Sequence, residues 1–357
     1  MSIDVGITGL AKSGRTTIFN ALNKSEVDVG TSAPHIGTVK VPEPRLQTLA
    51  DMLKPKRVVP VEVKYTDIGA PLKTIGGQLL TQLSNVDVLT NIVRAFTDES
   101  IPHIEGSLDV NRDVATTNLE LAFSDLAIIE RRLGRIDTSL KGAKPPERQS
   151  HLREQELLAR VKAELEKDVP IREFRLTTGE ARTIANYQFL TAKPLLIVAN
   201  IGEEQLPQAE SIENELNSKY SRPKCRLITL CGKLEMELSQ LDNSAAENFR
   251  ADFCVKESGL DRTIKLSYEL LGLISFFSIA SGEVKAWSIP DGTDAVTAAG
   301  KIHSDMERGF IRAEVISYDD LLKCGSISEA RKKGLLRLEG KNYTVKDGDV
   351  ITFLFNV

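Results

Sequence analysis

The residues best suited to chemistry lie near the start of the chain, in Gly9-Leu10-Ala11-Lys12-Ser13-Gly14-Arg15-Thr16. The loop consensus Gly-x-x-x-x-Gly-Lys-Ser/Thr wraps a phosphate chain: glycines let backbone N–H groups face it, a Lys reaches the β/γ-phosphates, and a hydroxyl binds Mg²⁺. Here Arg15 stands at the Lys position and Thr16 carries the hydroxyl, so Lys12, Ser13, Gly14, Arg15, Thr16 and Thr17 are the candidate phosphate-side residues. Asp67 closes a β-branched run at 58–67. A P-loop NTPase places its Mg²⁺-holding carboxylate at such a position, although an Asp beside Gly69 also suits a turn cap. Two further loops offer base contacts: Asn200-Ile201-Gly202-Glu203, and Cys231-Gly232-Lys233. Asn200, Glu203, Cys231, Gly232 and Lys233 are the candidates there. No residue stands out as a catalytic group.

These loops need a sheet to hold them. Apolar runs at 3–7, 86–94 and 194–200 read as buried parallel strands, and helical periodicity follows the first of them at 17–22. A loop at the end of a strand and the start of a helix faces an anion with free N–H groups and a favourable dipole. The fold class is therefore α/β, a doubly wound P-loop domain. From about residue 118 to 192 the periodicity is helical, with breakers at Gly142 and Pro145-Pro146, which predicts an inserted antiparallel helical hairpin. From residue 275 onward, short strands alternate with turns and a short helix, as in a separate α+β module.

At 357 residues the chain exceeds one ordinary core, and 41% hydrophobic with 27% charged residues describes a soluble globular protein. Cys225, Cys231, Cys254 and Cys324 form no C-x-x-C pair, which argues against zinc and against a disulfide framework. His303 with Asp305 and Glu307 has no second His at ligand spacing. No run approaches a membrane span and no leader is read, so a cytoplasmic location is expected. The net charge of −4 excludes a globally basic nucleic-acid binder. Residues 131–175, however, hold twelve Lys/Arg against eight Asp/Glu, a net +4 that leaves −8 for the rest. That stretch is either a nucleic-acid-facing surface or a solvated helical face with interleaved charge pairs.

The order of motifs resembles the YchF/Obg-like ATPase family over essentially the whole chain. The resemblance rests on Val41-Pro42-Glu43-Pro44-Arg45-Leu46, Lys54-Pro55-Lys56, the Asn200-x-x-Glu203 element, and Glu257-Ser258-Gly259-Leu260-Asp261-Arg262. It also rests on the stretch 310–321, Arg337-Leu338-Glu339-Gly340-Lys341-Asn342-Tyr343 and the turn Asp347-Gly348-Asp349. It implies a Ras-like G domain at 1–122 and 191–273, a helical hairpin at 123–190, and a β-grasp TGS domain at 274–357. It further implies ribosome or RNA binding, and ATP preferred over GTP because Asn-x-x-Glu replaces the Asn-Lys-x-Asp of GTPases. Gly14 and Arg15 then become phosphate contacts, Thr16 and Asp67 the Mg²⁺ side, Asn200 and Glu203 the base-selecting element, and 231–233 the base-side loop.

The chain departs from that pattern where phosphate is handled. Arg15 replaces Lys, and its forked guanidinium does not occupy the compact ammonium's place. Asp-x-x-Gly reads Asp67-Ile68-Gly69-Ala70, where a Cβ limits the flip that glycine permits. The switch that follows is shortened to 71–77, and Thr31 is the candidate for the switch threonine. Phosphoryl transfer depends on positioning and electrostatics. The leading expectation is a ribosome-associated nucleotide binder with weak or lost hydrolysis. The alternatives are an active ATPase or GTPase with Arg15 in the Lys role, and an interaction protein independent of nucleotide.

Overall fold

The computed structural model describes residues 3–25, 34–68, 77–252, 255, 257–280 and 282–356. In chain order the first elements are β1 (Ile3–Thr8), α1 (Arg15–Asn23), β2 (His35–Lys40), α2 (Pro44–Leu53), β3 (Arg57–Val59), β4 (Glu62–Asp67), α3 (Gly77–Ser84) and β5 (Val88–Arg94). The helical insert comprises α4 (Val110–Leu140), α5 (Pro145–Leu165) and α6 (Thr178–Ala185). Then come β6 (Leu195–Asn200), α7 (Ala209–Tyr220), β7 (Cys225–Leu230), α8 (Gly232–Ser239), α9 (Asn243–Asp252) and α10 (Gly259–Leu270). The chain closes with β8 (Leu273–Ala280), β9 (Glu283–Pro290), α11 (Ala295–Ile302), α12 (Ser304–Arg308), β10 (Phe310–Ser317), α13 (Tyr318–Cys324), α14 (Ile327–Lys332), β11 (Arg337–Glu339) and β12 (Asp349–Phe355).

Two compact units result, residues 1–39 with 64–270 and residues 40–63 with 271–357. The first is built on a six-stranded sheet ordered β2-β4-β1-β5-β6-β7. Strands β1, β5, β6 and β7 run parallel, in register from Val5 opposite Val88 to Asn200 opposite Leu230. All seven residues of β5 and all six of β6 are buried, as helices on both faces of a parallel sheet require. Strand order departs in opposite directions from β1, so the loop after β1 opens at a topological switch point, where such sheets bind ligands.

Helix α4 is one continuous 31-residue element, about 46 Å long at 1.5 Å per residue. Its side chains change core partway along. Val114 and Leu121 pack with the sheet, whereas Ala122, Ile129 and Ile136 pack with Leu158, Val161 and Leu165 of α5. The buried carboxylate of Asp125 fixes this junction by accepting from the N–H groups of Leu190 and Thr191 at 2.9 and 2.8 Å. The predicted hairpin is therefore present, with its turn between Leu140 and Pro145.

The second unit carries a six-stranded mixed sheet ordered β11-β10-β12-β8-β9-β3. Strand β12 pairs in parallel with β8, while β8 with β9 and β10 with β12 are antiparallel. Residues 40–63, read from sequence as part of the first domain, belong to this unit. Strand β3 extends its sheet beside β9, and Leu46 and Leu49 of α2 pack against Phe277, Val284 and Val350. The run 58–67, read as one strand, is two: β3 joins this sheet and β4 the other. Pro60 lies between them and has no N–H with which to continue a ladder. Two motifs distant in sequence meet here, since Arg45 donates to Glu43 at 2.7 Å and to Asp347 at 2.7 Å, and Asp347 also accepts from the N–H of Ser275 at 2.9 Å.

Candidate functional site

The loop between β1 and α1 owes its shape to two glycines. Gly9 has φ +139° and a Cβ there would sit 2.2 Å from the Ile92 carbonyl oxygen; Gly14 has φ +92° and a Cβ would sit 2.2 Å from Asn200 Nδ2. Only glycine tolerates both the backbone angle and the approach. Lys12 is exposed in left-handed backbone, φ 64°. Ser13 is buried, and Thr16 and Thr17 are half-buried on the first turn of α1.

Asn200 is the hub. Its side chain is 4% exposed, its Nδ2 donates to the Ser13 carbonyl at 3.0 Å, and its Oδ1 accepts from the Gly232 N–H at 2.8 Å. The end of β6 is thereby tied both to the phosphate loop and to the loop after β7. Gly232 permits this approach, because a Cβ there would come within 3.0 Å of Asn200 Oδ1 and 3.1 Å of Ile18. Cys231 caps α8, is buried, and has its thiol pushed up by that burial. Sequence alone casts Asn200 and 231–233 as base contacts; the structure shows Asn200 and Gly232 first as the joint that sets their spacing to Gly14. Glu203 and Lys233 face each other as an ion pair at 3.3 Å, and the carboxylate raises the Lys233 amine.

On the other side, Thr16 Oγ1 donates to Asp67 Oδ2 at 3.1 Å. Asp67 is 1% exposed and Arg15 8%. Burial pushes the Arg15 guanidinium down, while the charge of Asp67 opposes that shift. Arg15, Thr16 and Asp67 are thus brought together, and the two oxygen atoms are of the kind that hard divalent cations take. Gly69, Ala70, the segment 71–76 and Thr31 lie outside the described residues.

A second support behind the loop has no counterpart in the sequence reading. His103 Nε2 donates to Asp113 Oδ2 at 2.8 Å, His103 Nδ1 accepts from the Glu105 N–H at 3.1 Å, and Arg112 donates to Asp113 Oδ1 at 2.9 Å. His103 and Asp113 line a small recess with Leu10, Ala11 and Ser13. Arg94, 5% exposed, donates to the carbonyls of Phe96, Asp98 and Ile101 and so shapes the loop after β5. The spacing of these residues matches no motif; the one legible signal is Asp109, which caps α4 by accepting from the Arg112 N–H at 3.0 Å.

The motif 257–262 also finds its role, since Glu235 accepts from the Gly259 N–H at 2.6 Å and Arg262 pairs with Glu213. Glu213 in turn accepts from the Thr229 N–H at 2.8 Å, so α7, β7 and α10 are joined beneath the base-side loop.

Comparison with known proteins agrees with this geometry. The family profile YchF-GTPase_C, described as "Protein of unknown function (DUF933)", matches residues 273–356. The ribosome-binding ATPase YchF of Bacillus subtilis (strain 168) is 37% identical over 370 residues, covering 100% of both chains. The ribosome-binding ATPase YchF of Escherichia coli O157:H7 is 34% identical over 368 residues with the same coverage. Among solved structures, the Schizosaccharomyces pombe YchF GTPase superposes with a TM-score of 0.84 at 28% identity, covering 99% of this chain and 98% of that one. With identity above one third over its full length and the same fold, this chain belongs to the YchF/Obg-like family.

Proposed function

We propose that the chain binds a nucleoside triphosphate, ATP in preference to GTP, at the loop 9–17, and acts on the ribosome in the cytoplasm with slow or absent hydrolysis. The observation that carries this reading is the 3.1 Å contact between Thr16 and Asp67 at the start of α1. The two oxygens fit Mg²⁺, which would there neutralise phosphate charge, with Thr16 and Asp67 as its holders. The remaining work falls to the chain itself. Backbone N–H groups of Gly14 to Thr17 offer the phosphate donors, and Gly14 keeps the nest open.

Slow hydrolysis follows from Arg15. Its guanidinium is desolvated and already lends its charge to Asp67, and its forked shape sets the phosphates differently from an ammonium. Base preference follows from Glu203. Guanine needs a free carboxylate to accept from N1–H and N2–H₂, whereas Glu203 is paired with Lys233 at 3.3 Å. Adenine makes no such demand.

The relatives named above are ribosome-binding ATPases, and the hairpin supports a similar partner here. Residues 131–153 hold seven Lys/Arg against two Asp/Glu, a net +5. Further down, Lys162 and Lys167 pair with Glu130 and Glu164 at 2.8 and 2.9 Å. Arg131, Arg135, Lys141, Lys144, Arg148 and Arg153 have no acidic partner within 4.0 Å among the described residues. Charge is therefore neutralised toward the base of the hairpin and left free toward its turn, the distribution a phosphate backbone attracts. We read 123–190 as the inserted hairpin, 1–39 and 64–122 with 191–273 as the G domain, and 274–357, extended by 40–63, as a TGS module. Among the described residues, no helix is long and apolar enough to cross a membrane.

The test combines titration calorimetry of ATP, ADP and GTP with Mg²⁺, steady-state hydrolysis, and co-sedimentation with ribosomes. Tighter ATP than GTP binding, with turnover that rises on Arg15→Lys, supports the reading. Turnover that is fast and unchanged by Arg15→Lys overturns slow hydrolysis, and absence of any nucleotide effect on melting overturns the binding itself.

A further inference from the structure

A cavity of about 520 Å³ lies on one face of the first sheet, between α4 and the end of α7. It is bounded by the first part of α4, residues 165–173, the end of α7 and the start of β7. Its lining runs from Cys225, which opens β7, past Ile197 midway along β6 to Asn111 and Arg112 at the start of α4. Its volume is within the range of small-molecule sites.

Arg172 lines this cavity and is 8% exposed. Its Nη1 donates to the Thr191 carbonyl at 3.3 Å and its Nη2 to Asn118 Oδ1 at 3.2 Å, while Nε has no hydrogen-bond partner among the described residues. No carboxylate lies within ion-pair distance of it among the described residues. Glu173 and Asp125 act on it only at range, and Asp125 is already committed to two backbone N–H groups. Burying a cation without a counter-ion is costly. Arg222, exposed, adds positive charge among the lining residues, against Asp168 and Glu173; Lys219 is paired with Glu215 at 2.9 Å, and Leu119 and Ala122 supply an apolar wall.

We propose that this cavity binds a small organic anion, a carboxylate or phosphate monoester on an apolar body, with the anionic group at Arg172 and the body against Leu119. The bound anion supplies the counter-charge that the chain withholds from Arg172. The site shares no lining residue with the loop 9–17, although Arg112 in its wall also donates to Asp113 behind that loop.

The test is titration of the full chain, in excess ADP to occupy the phosphate loop, with phenyl phosphate, benzoate and, as the neutral control, phenol. Binding is read by hydrogen exchange in segments 111–122 and 166–173. Protection there by an anionic probe and not by phenol is expected, with phenyl phosphate or benzoate identifying which head group is preferred. Ala115→Trp, which narrows the mouth at an exposed position, and Arg222→Glu, which reverses a rim charge, should each weaken binding roughly tenfold, about 1.4 kcal/mol. The proposal is overturned if neither anion protects these segments, if phenol protects them equally, or if both variants bind as tightly as wild type.

Discussion

Replacing Asn200 with Ala separates two roles that one side chain could play. If Asn200 only read a base, the substitution would cost nucleotide affinity and leave the apo protein's stability alone. The structure instead places both ends of the amide in contacts within the protein, to the Ser13 carbonyl at 3.0 Å and the Gly232 N–H at 2.8 Å, in a side chain 4% exposed. Asn200→Ala leaves a buried acceptor and a buried donor unpaired, at about 1–3 kcal/mol each, so the loss is roughly 2–6 kcal/mol. For a unit of this size each kcal/mol lowers the melting temperature by about 2–4 °C, which predicts a fall of about 4–24 °C without nucleotide. Asn200→Asp retains the acceptor for Gly232 but turns an oxygen toward the Ser13 carbonyl, so it should be no better than Ala. Calorimetry of the apo protein measures the shift, and hydrogen exchange at Gly232 assigns it to this unit. A variant that loses ATP binding yet melts within about 1 °C of wild type would refute the reasoning.

Burial pushes Asp125 up to about 6 from its ordinary 3.8, so the folded state binds the extra proton. The associated stability is fully present below about pH 4 and is lost as pH rises through about 6, at most about 3 kcal/mol in all. Asp125→Asn should flatten that slope in pH-dependent urea melts and, by leaving one backbone N–H unpaired, cost about 1–3 kcal/mol near neutrality. The Asn91 amide is fully buried and has no partner at either end among the described residues; Asn91→Leu should raise stability by about 1 kcal/mol, seen as a higher urea midpoint at unchanged slope. Reversing Lys141, Lys144 and Arg148 to Glu should weaken ribosome co-sedimentation while thermal melting stays unchanged. The slope of log affinity against log salt should flatten by about 0.7–0.9 for each phosphate that is no longer neutralised.

Where the information was local, it was legible without coordinates. The nest at 9–16, the buried runs of β5 and β6, the hairpin with its break near Pro145 and the strand-end position of Asp67 all follow from periodicity, breakers and motif spacing. The boundary of the second unit did not follow. Residues 40–63 resemble a helix and strand continuing the first domain, yet α2 and β3 gain their partners from residues more than two hundred positions away. The Arg45–Asp347 contact is equally invisible in sequence, because an ion pair leaves no periodicity. The supports behind the phosphate loop, His103 with Asp113 and the Arg94 contacts, are hidden for the same reason.

Residue type and order by themselves determined that this chain carries a phosphate-loop motif on a parallel sheet, with Arg15 in the place of Lys. Backbone conformation at Gly9 and Gly14 and burial of the strands are properties of short segments, so a short segment encodes them. Tertiary structure alone decided what Asn200 does, which acid pairs with Lys233, and that Arg15 is desolvated within the field of Asp67. Those outcomes depend on distances between strand ends brought together by packing, and on the low dielectric that packing creates.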